Sequence, residues 1–328
     1  MEPVPNFSLH RPATLEEANN LMRRNPEARL VAGGTDLIVN IRRGIVDTDC
    51  LIDLNDVAEM NGLGFDKKSG ALHIGAAVTL AELSGDDTVI KNFPAVAAAA
   101  GAVAGPTHRQ MGTVGGNLCL DTRCIYYNQS EWWRSSNDYC LKYRGDVCHV
   151  APKSSRCFAA FSGDLAPALL VYGATAQLAG PGGEREIPLT ELYQDDGADH
   201  LTLEECEVLV SITVPAAEGV VSDYVKMRVR GSIDFPLAGT AIALKRDGDK
   251  ISRFTIAFTG TNSYPVLIEG VDVLIGKPLD DKALDALAAY LPKQIRPMKS
   301  TFTGQSYRRR VAINLAKRLA QRLFEAAA

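Results

Sequence analysis

The sequence has no excess of positive charge, no long hydrophobic run and no paired-cysteine framework, and each absence removes a class of function. Its 328 residues carry 35 Lys and Arg against 39 Asp and Glu, a net charge of −4. Nucleic-acid and anionic-membrane partners favour a basic surface, so neither is expected. The longest apolar stretch, Ala95 to Gly105, is Ala-rich and far below the ~20 residues of a membrane span. The opening Met1-Glu2-Pro3-Val4-Pro5 has neither the basic nor the apolar region of a secretory signal, so a cytoplasmic location is expected. The seven cysteines are an odd number, which without an export signal argues against a disulfide scaffold. G-x-G-x-x-G spacing is missing, which disfavours a standard nicotinamide-binding fold. The C-x4-C-x2-C pattern of plant-type ferredoxins is missing too.

What is present describes a globular chain, 46% hydrophobic and 23% charged, long enough for two or three domains. Thr14-Leu15-Glu16-Glu17 has capping-box form, and Leu15, Ala18, Leu21 and Met22 share one helical face. Short strands are expected at 29–32, 50–54, 72–76 and 254–258, and a small-residue helix at 95–104. The last helix, from Ser306, places Val311, Leu315, Leu319 and Leu323 on one side. A domain boundary is expected between Pro215 and Asp223. From Asp121 to Ser162 the apolar periodicity stops, and both tryptophans fall here. So long a stretch without secondary structure is usually functional or disordered.

Two glycine-rich turns stand out, Ala32-Gly33-Gly34-Thr35-Asp36 after a strand and Thr113-Val114-Gly115-Gly116-Asn117. Glycines let successive backbone N–H groups converge on an anion, because no Cβ blocks the approach. Either turn alone reads as an ordinary tight turn. Two of them, each with its own Thr, point to a dinucleotide pyrophosphate without naming the ligand.

Cys124, Cys140, Cys148 and Cys157 fall inside the aperiodic stretch with spacing C-x15-C-x7-C-x8-C. Four thiolates hold zinc or an iron–sulfur cluster. Structural zinc usually brings a C-x2–4-C knuckle, and none is present, whereas ligands spread along a loop suit the separate corners of a cubane. Cys50 and Cys206 are expected in regular elements as core thiols, and Cys119 as a buried residue beside the second turn. His149 is a spare ligand candidate. Tyr126, Tyr127, Trp132 and Trp133 are expected to form a small core around the metal site.

The segments "VAGGTDLIVNIRRG", "IGAAVTLAEL", "GTVGGNLC", "GDLAPALL" and "EVLVSITVP" resemble, in the same order, the signatures of the FAD-binding subunits of the molybdenum hydroxylase (xanthine oxidase) family. The resemblance covers essentially the whole chain. It implies an α+β fold, with a two-part FAD-binding region of the vanillyl-alcohol-oxidase (PCMH) type followed by an α/β C-terminal domain of the CO-dehydrogenase flavoprotein type. The expected FAD-binding domain spans 1–218, with subdomains of about 1–58 and 59–218 and an iron–sulfur insertion at 122–162; the C-terminal domain spans 219–328. By the same resemblance Leu30, Val31, Ala32, Gly33, Gly34, Thr35 and Asp36, together with Thr113, Gly115, Gly116 and Asn117, wrap the FAD pyrophosphate. Asp164, Leu209 and Lys226 match further FAD-contacting positions. A cation at Lys226 near the flavin pyrimidine edge would favour the anionic reduced flavin; the competing reading is a solvated basic strand face shared with Arg228 and Arg230. One departure is Pro106-Thr107-His108-Arg109-Gln110, where relatives usually carry an Ile-Arg-Asn run.

Family members normally pass from "GGNLC" to the "GD-x-x-PALL" segment through a short connection only. The intervening cysteine-rich insertion resembles that of the β subunits in the 4-hydroxybenzoyl-CoA reductase branch. That resemblance implies a [4Fe–4S] cluster on Cys124, Cys140, Cys148 and Cys157, and electrons moving between a ferredoxin-like donor, this cluster, FAD, and the [2Fe–2S] and molybdenum centres of partner subunits. No catalytic residue is expected on this chain. The alternatives are a self-contained nicotinamide-dependent flavin reductase and a zinc-stapled scaffold subunit.

Overall fold

The computed structural model describes residues 5–327; Met1–Val4, part of the stretch read for an export signal, lies outside the described residues. Three sheets organise the chain. The first is parallel, with β1 (Ser8–His10) and β2 (Arg29–Val31) flanking β3 (Cys50–Asp53). Helix α1 (Leu15–Arg24) supplies the first crossover and α2 (Leu37–Arg42) the second. Thr14 caps α1 by accepting from the Glu17 N–H at 3.2 Å, and the Glu17 carboxylate reaches back to the Ala13 N–H at 2.7 Å, close to the capping box of the sequence.

The second sheet is antiparallel, in the order β4 (Leu63–Phe65), β5 (Leu72–Gly75), β8 (Val208–Val214), β6 (Thr175–Gly180), β7 (Gly183–Pro188). Between β5 and β6 the chain forms α3 (Leu80–Gly85), α4 (Asp87–Asn92), α5 (Pro94–Ala102), α6 (Pro106–Met111) and α7 (Val114–Leu118). It continues through α8 (Glu131–Ser135) and α9 (Leu165–Leu170). The departing Pro106–Gln110 run thus becomes a short helix with Pro in its first turn, where the missing N–H costs nothing.

The third sheet is antiparallel, in the order β12 (Val266–Leu267), β11 (Lys250–Thr259), β10 (Ala238–Asp247), β9 (Val221–Met227). Its two faces differ in side-chain size, as the period of two allows. Ala241, Ala243 and Ala257 face the FAD-region core, where α5 and α9 pack close. Ile242, Leu244, Phe254, Ile256 and Phe258 face α10 (Asp281–Tyr290) and α11 (Gln305–Ala326). On α11, Val311, Leu319 and Leu323 are buried while Leu315 sits at the edge. Arg308, fully buried in α11, donates to the carbonyls of Leu237 at 3.1 Å, Met298 at 3.0 Å and Gly260. Burial lowers its pKa to about 10, so it stays cationic at neutral pH.

The stretch expected to be aperiodic holds one helix, α8, whose first turn is capped by Ser130 accepting from the Trp133 N–H at 3.3 Å. Cys206 also departs from expectation: it sits in a turn before β8 with φ of 60°, not in a regular element. Among the described residues no helix is long and apolar enough to cross a membrane.

Candidate functional site

The first glycine turn leaves β2 and enters α2. Among the described residues no acceptor takes the N–H groups of Gly33, Gly34, Thr35 or Asp36, so four consecutive donors remain for a ligand, the requirement for an anion nest. Gly34 has φ of 68°, a backbone region that glycine enters freely. The Ala32 carbonyl is fixed by Asn55 Nδ2 at 3.0 Å.

The second turn differs from the first. Its amides are used internally: Val114 donates to Val78, Gly115 to Ala76, Gly116 to Thr113 Oγ1 and Asn117 to the Thr113 carbonyl. This turn therefore offers close approach more than donors. A Cβ at Gly116 would meet only Thr113 Oγ1, at 3.1 Å, so that face is otherwise open. The two turns meet directly, because a Cβ at Gly33 would fall 1.8 Å from the Met111 carbonyl oxygen. Four unpaired amides beside an open, Cβ-free face fit a dinucleotide pyrophosphate.

Asp164, preceding α9, and Lys226, on β9, form a buried ion pair at 2.9 Å with both side chains 4% exposed. Tyr224, two residues from Lys226 and so on the same strand face, donates to the other Asp164 oxygen at 2.5 Å. The hydroxyl needs glycine opposite, since a Cβ at Gly239 would lie 2.1 Å from it. Burial raises the Asp164 pKa, against the pull of Lys226 and the Tyr224 hydrogen bond. Lys226 is thus not part of a solvated basic face. Leu209 is buried in β8 beside this region's core.

Removing the cation strands the carboxylate. Lys226→Met is expected to cost about 3–5 kcal/mol at neutral pH. In the variant, folded Asp164 holds its proton above the unfolded value of 3.8. The folded state then binds more protons than the unfolded one, so stability falls as pH rises beyond that value. Urea midpoints for variant and parent between pH 4 and 8 check this: the deficit should widen with pH, and a constant deficit would contradict it.

Cys124, Cys140, Cys148 and Cys157 all line one cavity, with Tyr126, Tyr127 and His149 among its other walls. The space between these walls, open solvent at its mouth included, is about 240 Å³. Among the described residues no three His, Cys, Asp or Glu side chains are gathered tightly enough for a single metal ion. Burial pushes the Cys124 thiol up to about 11, with Cys140 and Cys148 adding to the shift. A hydrogen bond from Cys157 holds Cys148 down at about 5, and the same bond pushes Cys157 up. Ionising all four thiols would gather negative charge at one cavity, and a multiply positive metal core would relieve that repulsion.

The surroundings of the cavity correct one expectation. Tyr127 is buried and Tyr126 and Trp133 pack nearby, but Trp132 is 76% exposed and lies outside this core. Ile45 and Val46, just beyond α2, join Tyr143 and Val150 of the insertion in that core. His149 Nε2 lies 2.5 Å from the Tyr139 carbonyl, which engages that nitrogen. Cys119 packs against the main core and Cys50 is buried in β3, both away from the cavity.

Three residues at these sites carry no recognisable sequence signal. Tyr224 completes the Asp164 pair. Lys142 Nζ donates to Asp121 at 2.7 Å, to the Gly197 carbonyl at 2.7 Å and to Thr122, tying the insertion to the chain leaving α7. Arg123 pairs with Asp36 of the first turn. Only its position beside Cys124 hinted at it.

Comparison with known proteins places this geometry. The model for the FAD binding domain in molybdopterin dehydrogenase matches residues 5–217, and that for the CO dehydrogenase flavoprotein C-terminal domain matches 223–323. The chain belongs to the FAD-binding subunits of the molybdenum hydroxylase family, of xanthine and CO dehydrogenase type. It is 26% identical to the xanthine dehydrogenase FAD-binding subunit of Escherichia coli O157:H7, over 95% of this chain and 94% of that one. It is 27% identical to the carbon monoxide dehydrogenase medium chain of Hydrogenophaga pseudoflava, over 96% of both. Among solved structures, reconstituted CO dehydrogenase from Oligotropha carboxidovorans has a chain that superposes with a TM-score of 0.81, at 25% identity and full coverage of both chains. The α+β architecture with a two-part FAD-binding region and a CO-dehydrogenase-type C-terminal domain is therefore that of the family.

Proposed function

We propose that this chain is the electron-transfer subunit of a cytoplasmic molybdenum-dependent reductase of the 4-hydroxybenzoyl-CoA reductase type, carrying FAD and one [4Fe–4S] cluster. Its partners are a molybdenum-cofactor large subunit, a small subunit with two [2Fe–2S] clusters and a ferredoxin-like donor. The observation that carries this reading is the meeting of Cys124, Cys140, Cys148 and Cys157 at one cavity.

FAD exchanges electrons singly or in pairs, and a [4Fe–4S] cluster passes them singly. This chain's residues bind and space the two groups. Gly33, Gly34, Thr35 and Asp36 offer their amides to the pyrophosphate, Gly116 leaves room for it, and Leu30, Val31 and Ala32 lead the strand into it. Thr113 and Asn117 hold the second turn in shape, the latter by accepting from the Leu165 N–H at 3.0 Å. Asp164, Lys226 and Leu209 would hold the flavin end of the cofactor, with Lys226 supplying a cation to it. The insertion closes at a short ladder, Arg123 N–H to the Ala160 carbonyl at 2.8 Å and back at 2.7 Å, which tethers the cysteine cavity to the flavin region. Reductive dehydroxylation replaces the phenolic C–O bond by C–H, with electrons and protons supplied from outside and oxygen leaving as water; that step belongs to a partner chain.

The test is metal and flavin analysis of anaerobically purified protein. Iron and acid-labile sulfide near four per FAD, with a paramagnetic signal on reduction, support the reading. Zinc in their place would make the insertion a structural staple, and oxidation of NAD(P)H by the isolated chain with its own small substrate would make it a self-contained reductase.

A further inference from the structure

Arg123 occupies the neck of the insertion, paired through its backbone with Ala160 and followed directly by Cys124. Its guanidinium leaves the insertion and reaches the first glycine turn. Nη2 pairs with Asp36 Oδ1, and Nη1 lies 3.4 Å from Asn40 Oδ1. Asn40 Nδ2 donates to the second Asp36 oxygen at 3.0 Å. The guanidinium also lies over the Phe235 ring, 4.9 Å from its centroid, while the buried Nε finds no acceptor among the described residues.

This arrangement resolves an electrostatic conflict inside the turn. Asp36 contributes one of the four unpaired amides, yet it carries a carboxylate on the same residue. A bare carboxylate there repels a diphosphate through a partly desolvated medium, where Coulomb energies exceed those in water several-fold. We infer that Arg123 is a positioning residue for the flavin: it neutralises and holds Asp36, and so lets the first turn accept the anionic pyrophosphate. The inference rests on the FAD reading of that turn. It makes the cysteine insertion part of the flavin site, because the residue that closes the insertion is the one that discharges the flavin turn.

The test measures FAD dissociation constants by flavin fluorescence on the full chain for wild type, Arg123→Gln, Asp36→Asn and the double variant. Arg123→Gln is expected to weaken FAD at least about tenfold, and less at high salt, which screens the exposed carboxylate. Adding Asp36→Asn should bring the affinity back to within about threefold of Asp36→Asn alone, since the repelling charge is gone. Arg123→Lys, which keeps the charge, should retain most of the affinity and serves if the Gln variant does not fold. Unchanged affinity in Arg123→Gln, or a loss that Asp36→Asn does not relieve, would overturn the inference. Wild-type protein with no affinity for FAD would instead remove the assignment of the turn itself.

Discussion

Serine at any one of Cys124, Cys140, Cys148 or Cys157 is expected to remove or convert the proposed cluster, taking iron from the expected value of about four per chain to three or none, while FAD stays bound. The four thiols share one cavity, and a hydroxyl is a harder, less readily ionised donor than the soft thiolate the metal prefers. The flavin turns lie on other elements, after β2 and at the start of α7, and their hydrogen bonds do not pass through the cysteines. Cys50→Ser and Cys119→Ser act as controls, because neither thiol lines the cavity; both should keep all the iron. Iron and sulfide content with paramagnetic resonance of each reduced variant decides the matter. An essential Cys119, or a dispensable member of the four, would sink the ligand assignment.

Loss of bound flavin is the second large effect, expected for Gly116→Val and Gly33→Ala by different routes. At Gly116 an added Cβ meets only Thr113 Oγ1, at 3.1 Å, a contact that a shift of a few tenths of an ångström relieves, so the variant should fold and yet fill the face proposed for the pyrophosphate. At Gly33 the added Cβ would overlap the Met111 carbonyl, 1.8 Å away, and force the two turns apart. That variant should lose stability as well as flavin, since overpacking a close contact typically costs about 1–3 kcal/mol. The ratio of flavin to protein absorbance, read beside the thermal midpoint, separates the two routes. Normal flavin content in both variants would show that these turns do not seat the cofactor.

Several elements could be read from the sequence because local rules fix them. Thr14 and Glu17 start α1 through bonds made within one turn, and the apolar spacing of α11 assigns Val311, Leu319 and Leu323 to its buried side. The two Gly-Gly turns and the clustering of four cysteines in one segment were equally visible. The expected surroundings of that segment were less accurate. Trp132 follows no periodic pattern, and its exposure is set by how the insertion folds as a whole, which no local rule encodes.

The family, the two Gly-Gly turns proposed for a phosphate and the residue types suited to a metal cluster were all legible in the chain alone, since these rest on backbone freedom and ligand chemistry within a few residues. Which turn has free donors depends on long-range pairing in the folded chain. Alike in composition, the two differ because Val114 and Gly115 are paired with Val78 and Ala76 in a different part of the chain. Only the tertiary structure decided that Lys226 is buried: its partner Asp164 lies 62 residues away, and alternation along β9 cannot say which sheet face is covered. The same holds for Arg123 and Asp36, 87 residues apart. An ion pair between distant segments follows from how the domains pack, and no local pattern encodes it.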